Sequence, residues 1–517
     1  MRHLTALIAG LTAGATSPGA EPSHILTLRF EPSRKMIAIS GSWRPPVQRQ
    51  AASEWRFFLS PKLGTPALAV SCRGKRLPLE SLSSTSKDGD REWRVATARS
   101  CAAGAQAVIS FRYDTRDQAP QLRVTADGGF AGGGGELWYP QSSFAQRDTA
   151  ILTLDLPKGL VGIATGTEIR RTIAGSRSIT TFRNEVPAKL AFAFGPYREA
   201  ARATPFPMRV LTRDPRADAT AMMSRLAALL PTLDSAFGPP PYRSLALVEV
   251  PFDGRVLGTS EYGMIFADPS RTSGAFDAAY WAHEFGHQWW GNAVHVRSGT
   301  AGASLLTEGM AQYGALLAIE ARSGPEAAAL LRRSDRKDSI AAYCLLLAAG
   351  KDRPLAAVPT SGPDEALAMH RLVTSKGAIL IDQLSRTIGR DRFHSILRGF
   401  VAEHMGQAVS WQDLEAAIDR GTGGAYRWWF DQWLRRPGAP NVTARSTVDG
   451  SRVSLRLVQK PPFYRLTMPV ELAGAWGRRR VAIALDGAEA SAVEQAPGRV
   501  TSVVFDPDAL IPNCPRP

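Results

Sequence analysis

The stretch that decides the reading is His283-Glu284-Phe285-Gly286-His287, continued by Gln288-Trp289-Trp290-Gly291-Asn292. In a helix, residues four apart lie about 40° apart around the axis, so His283 and His287 project from one face and can share a metal. Glu284 points roughly 100° away from His283. That sets a carboxylate beside the metal, where it can take a proton from water without occupying a coordination position.

Two imidazoles leave a tetrahedral zinc short of a third protein ligand, and the usual supply is a carboxylate or His from a second helix packed across the site. Leu305-Leu306-Thr307-Glu308-Gly309-Met310-Ala311-Gln312-Tyr313 reads as that helix. Its apolar positions fit helical spacing, and Glu308 is set among them, where an unpaired charge is costly. A metal resolves that cost, and one zinc per chain is the expectation.

His287-Gln288-Trp289-Trp290-Gly291-Asn292 and Glu308-Gly309-Met310-Ala311-Gln312-Tyr313 resemble the two signature runs of the M1 aminopeptidases, a gluzincin family. Twenty residues lie between His287 and Glu308, where the family usually has eighteen. The Gly/Ser-rich run Arg297 to Gly302 is the natural place for the excess. The resemblance implies His283, His287 and Glu308 as zinc ligands and Glu284 as general base.

Upstream, Gly258-Thr259-Ser260-Glu261-Tyr262-Gly263-Met264 resembles the family's G-x-M-E-N exopeptidase element. Ser260 and Tyr262 stand where Met and Asn are common, but Glu261 keeps the acidic position. A carboxylate at the end of an edge strand can capture the α-ammonium group of a peptide held along that edge. Downstream, Lys376-Gly377-Ala378-Ile379-Leu380 resembles the Y-x-K-G-A-x-x-L run, and Thr374 falls where the family has a tyrosine facing the tetrahedral intermediate. Thr374 is a candidate oxyanion stabiliser with a hydroxyl shorter and less acidic than a phenol; His370 is the other candidate and Tyr343 a further substitute, both more in keeping with a structural role.

Around this centre the pattern predicts three domains after a leader. Residues 1–20 read as a signal peptide, with Arg2 and His3, a short apolar run and small residues at Ala13-Gly14-Ala15. Residues 21–205 alternate with period two in segments such as Ile25 to Phe30 and Val108 to Tyr113, separated by Gly, Pro and Asp turns. That predicts an all-β sandwich. Within it Gly132 to Gly135 reads as a flexible loop, and Trp138-Tyr139-Pro140 resembles the family's W-[YF]-P element.

Residues 206–440 predict a thermolysin-like α+β catalytic domain. Its expected elements are a helix over 217–237, strands over 244–250 and 261–267, and the zinc helix over 276–294. Phe430-Asp431-Gln432-Trp433 and Gly438-Ala439-Pro440 resemble the family's closing element. From Asn441 alternation returns, and 441–517 predicts a small β-sandwich.

A net charge of +15 arises from Arg and Lys spread along the chain without a basic run interleaved with aromatics, so nucleic acid is not an expected partner. No stretch after residue 20 is long and apolar enough for a transmembrane helix, and the mature chain is expected in the periplasm or outside the cell. Of four cysteines, Cys72 and Cys101 sit in neighbouring strand-like segments and can pair. Cys344 reads as a buried thiol, and Cys514 has no evident partner.

The reading is an exported zinc aminopeptidase acting on peptides. Two rivals stand beside it: a zinc endopeptidase or amidase of the same fold, and a zinc- or peptide-binding homologue impaired in catalysis.

Overall fold

The computed structural model describes residues 21–87, 90–115, 118–119, 121–133, 136–203, 206–252, 257–297, 299–334, 338–357 and 369–514. The leader-like residues 1–20, and Gly134 and Gly135 of the glycine loop, lie outside them. By its contacts the chain divides into two compact units, Met1–Ala219 with Tyr242–Ser273, and Thr220–Pro241 with Gly274–Pro517.

The first unit is built on strands whose alternation places every second side chain inward. In His24–Glu31 the apolar Leu26, Leu28 and Phe30 are buried while their neighbours reach outward. This strand pairs in parallel with Asp148–Pro157 and antiparallel with Met36–Trp43, inside an eight-stranded sheet. A four-stranded sheet containing Phe192–Gly195 packs on it, with the Phe30 and Phe194 rings 4.7 Å apart between the layers. This is the expected sandwich. Trp138-Tyr139-Pro140 is fixed in its core: Trp138 Nε1 donates to the Leu190 carbonyl at 2.9 Å, and the Tyr139 hydroxyl accepts from the Leu190 amide.

A five-stranded sheet in the same unit has the order Arg198–Arg202, Met208–Thr212, Leu245–Glu249, Met264–Ala267, Gly258–Glu261. The expected strand over 261–267 proves to be a hairpin. Glu261 pairs with Met264 across a two-residue turn, and Gly263 takes φ 73°, a left-handed conformation that glycine adopts without strain. Glu261 therefore closes the antiparallel edge strand instead of opening the next one.

In the second unit the helix expected over 217–237 is two helices, Ala219–Ala227 and Leu230–Phe237. Pro231 explains the break: it has no amide hydrogen to continue the first helix and is tolerated in the first turn of the second. The zinc helix is shorter than expected, Ala278–Trp289. Asp277 caps it by accepting from the Tyr280 amide at 3.0 Å, and Trp290 leaves in an extended conformation before Gly291 at φ 118°.

The C-terminal strands form two three-stranded sheets, one ordered Asn441–Asp449, Arg452–Lys460, Glu489–Gln495 and the other Gly477–Asp486, Arg465–Gly474, Ser502–Phe505. Cys72 and Cys101 form the expected disulfide. The reading of the other two cysteines is corrected, because Cys344 and Cys514 also form one. A separation of 170 residues hid that pairing from any local pattern. No helix among the described residues is long and apolar enough to cross a membrane.

Candidate metal centre

His283 and His287 leave the same face of Ala278–Trp289, with their Nε2 atoms 3.1 Å apart. Glu308 comes from the facing segment, where Leu305–Gly309 is a π-helical turn running into the helix Met310–Ser323. Such one-turn dilations occur often at functional sites, and this one delivers its acid to the histidine pair. Glu308 Oε2 lies 3.4 Å from His283 Nε2 and 3.5 Å from His287 Nε2. The two helices come this close because Gly286 has no Cβ. One built there would stand 2.7 Å from the Ala311 Cα.

The outer nitrogens fix the tautomers. His283 Nδ1 donates to Gln312 Oε1 at 2.9 Å and His287 Nδ1 to the Trp290 carbonyl at 3.2 Å, so both Nε2 lone pairs face Glu308 and each other. Three electron-rich atoms 3.1–3.5 Å apart need a cation between them. Zinc at its usual 2.0–2.1 Å from N and O ligands in tetrahedral geometry requires ligand separations of roughly 3.3 Å. The donor set fits zinc.

Without metal, a proton takes part of that role. Burial pulls the His287 imidazole down, but the Glu308 carboxylate outweighs it and, with Glu284 and the Trp290 carbonyl, raises it to about 9. Burial pushes the Glu308 carboxyl up, and the two imidazoles facing it more than reverse that, holding it well below the usual carboxylate range. A metal entering the site displaces this proton.

Glu284 is buried at 8% exposure on the same helix and stands outside the set of donor atoms lying within 4.8 Å of one another, which comprises His283, His287 and Glu308 among the described residues. Thr374 lies in a second π-turn, Val373–Gly377, and is 1% exposed. Its hydroxyl donates to Asp338 Oδ1 at 2.6 Å and lies 3.0 Å from the His370 carbonyl, so it is already committed within the fold. Tyr343 donates to Asp352 and to the Gly438 carbonyl, in keeping with a structural role. His370 differs: its Nδ1 is 3.5 Å from Glu308 Oε2, and its side chain is 47% exposed.

In the first unit Glu261 ends its strand with a carboxylate only 4% exposed. Burial pushes it up to about 7, against the Gly133 amide, the Thr259 hydroxyl and the charges of Arg147 and Lys189, which lower it. Gly132 leaves room beside it. A Cβ there would lie 3.0 Å from Glu261 Oε1 and 2.9 Å from Gln121 Oε1, an oxygen with no hydrogen-bond partner among the described residues.

Gln312 lies in the Glu308–Tyr313 run, and its task of holding His283 shows only in the fold. Its position four residues after Glu308 on one helix face was the available signal. Gln121 carried no signal, since only the fold brings its strand region to Glu261.

The two histidines of one helix, the facing acid and their tautomer-fixing partners make a three-donor cluster that could hold a divalent metal. Residues 259–433 match the family model of the peptidase family M1 domain. Aminopeptidase M1-B of Oryza sativa subsp. japonica is 25% identical over 178 residues, 34% of this chain and 19% of that protein's length. The M1 zinc metallopeptidase of Deinococcus radiodurans superposes with a TM-score of 0.63 at 18% identity, covering 80% of this chain and 93% of that one. A mutant of that protein bound to a Tyr-Ser-Ala substrate gives 0.60 at 19% identity, covering 80% and 93%. The arrangement of a β-rich amino-terminal region, helical catalytic region and C-terminal strands is therefore that of M1 metallopeptidases.

Proposed function

We infer that this protein is an exported zinc aminopeptidase that removes amino-terminal residues from peptides. The observation that carries the reading is the convergence of His283, His287 and Glu308 at 3.1–3.5 Å with Glu284 beside them and outside the ligand set. Zinc held there supplies Lewis acidity, easing deprotonation of water and polarising the scissile carbonyl. Glu284 takes the proton of the attacking water and passes it to the departing amine. Glu261 receives the substrate's α-ammonium group, which fixes the chain start and makes the reaction exopeptidic. The Tyr-Ser-Ala complex of the Deinococcus protein supports a peptide substrate. The disulfides Cys72–Cys101 and Cys344–Cys514 support an oxidising compartment.

The test is hydrolysis of a panel of aminoacyl-amidomethylcoumarins with and without a chelator, beside the same compounds acetylated at nitrogen. Turnover is expected only with zinc and a free amine. Equal cleavage of the blocked compounds sinks the aminopeptidase and favours the endopeptidase or amidase. Glu261 adds a pH signature. Burial raises the Glu261 carboxyl to about 7, so its ionised fraction falls as pH drops below that value, while the substrate's α-amine gains its proton over the same interval. Glu261→Gln shares the amine titration but carries no titrating group there, so KM of the parent relative to that of Glu261→Gln is expected to rise several-fold from pH 8 to pH 6; a constant ratio removes Glu261 from amine binding.

A further inference from the structure

We propose that His370 is the catalytic residue that donates a hydrogen bond to the substrate's carbonyl oxygen as it becomes anionic. The inference rests on the peptidase reading and supplies the group which that reading lacks. Aligning Lys376-Gly377-Ala378 places Thr374 at the position of that donor, but the Thr374 hydroxyl is committed to Asp338 and is buried. The backbone accounts for the exchange. Helical residues 369–372 run directly into the π-turn Val373–Gly377, and the extra residue of a π-turn rotates what precedes it relative to a continuous α-helix. Residue 374 is buried in that turn, and residue 370, in the helical turn before it, lies against Glu308.

His370 has the placement such a donor needs. Its Nδ1 lies 3.5 Å from Glu308 Oε2, yet it stands outside the mutually close donor set of His283, His287 and Glu308, so it borders those three residues without belonging to their group. Half its side chain faces solvent and so is open to a ligand. An imidazole carries an N–H donor in either tautomer. In the step, the water oxygen bonds to the carbonyl carbon and the C=O π pair moves onto oxygen. The water proton goes to Glu284 and then to the amine as the C–N bond breaks. His370 donates a hydrogen bond throughout and transfers no proton.

The experiment compares His370→Ala and His370→Gln with the parent in three readouts: zinc affinity by chelator competition, kcat and KM on the aminoacyl-amidomethylcoumarin panel, and calorimetric affinity of the zinc-loaded protein for a phosphinic pseudopeptide. For His370→Ala the expected results are zinc affinity within threefold of the parent and kcat lower by about 10²–10³ with KM nearly unchanged. The phosphinate should weaken by a similar factor, because it mimics the anionic oxygen. His370→Gln, which keeps an N–H donor, should recover part of both losses.

A kcat within tenfold of the parent overturns the proposal. So does a loss of zinc that matches the loss of activity, since His370 would then merely orient Glu308. If the parent hydrolyses nothing on the panel but its phosphinate binding still depends on His370, the oxyanion site stands and the aminopeptidase reading falls. If the parent neither turns over nor binds the phosphinate, both fall.

Discussion

Glu284→Gln is expected to lower kcat by about 10²–10⁴ while the protein keeps its zinc. The two halves of this expectation come from separate observations. Retention follows from Glu284 lying outside the ligand set, so the amide leaves His283, His287 and Glu308 in place. Loss of turnover follows because an amide of the same shape can accept a hydrogen bond from water but cannot take its proton. The measurements are metal content after dialysis and single-turnover hydrolysis. A variant that loses zinc would make Glu284 part of the metal site, and one that stays active would move the general base elsewhere. With the charge of Glu284 gone, the His287 imidazole also loses one of the interactions that raise it.

That His283, His287 and Glu308 come together was legible from the sequence because the parts of that cluster are local. A helix converts a spacing of four into a shared face, and an acid within an apolar run signals a partner. The strand pattern likewise exposed both β regions, since alternation records which face is buried. What escaped reading was set by geometry that spacing does not encode. Two π-turns, Leu305–Gly309 and Val373–Gly377, interrupt the α-helical spacing, and beside the second Thr374 is buried on Asp338 while His370 lies 3.5 Å from Glu308. The hairpin at Tyr262-Gly263 was read as a continuous strand because its residues carry no strong breaker except the glycine. Cys344–Cys514 joins segments 170 residues apart, a distance over which sequence offers no register.

The same limits apply to Lys376, which the family resemblance marks without explaining. The structure gives it a load to hold in place: a fully buried ammonium 3.3 Å from Asp352 Oδ2 and 2.9 Å from the Gly438 carbonyl, beneath the Tyr343 ring. Asp352 also accepts from the Tyr343 hydroxyl and the Gly438 amide, so one carboxylate ties three chain segments to the π-turn that follows His370. Asp352→Ala is expected to destabilise the protein by about 3–5 kcal/mol, because it leaves a buried cation without its counter-charge.

Burial already draws the Lys376 ammonium below its ordinary value, with Asp352 opposing that shift. Once Asp352 is removed the depression deepens. A lysine whose folded value lies below its unfolded one destabilises most at low pH and progressively less as pH rises through that depressed value. The stability of Asp352→Ala should therefore increase from pH 6 toward pH 9 relative to the parent. Adding Lys376→Met should recover most of the loss, since an apolar chain of similar volume needs no partner there. Denaturant midpoints of the parent, both single variants and the double variant, each at two pH values, measure the coupling. Additive single effects with no pH trend would mean that the pair is not coupled and that Gly438 alone satisfies Lys376.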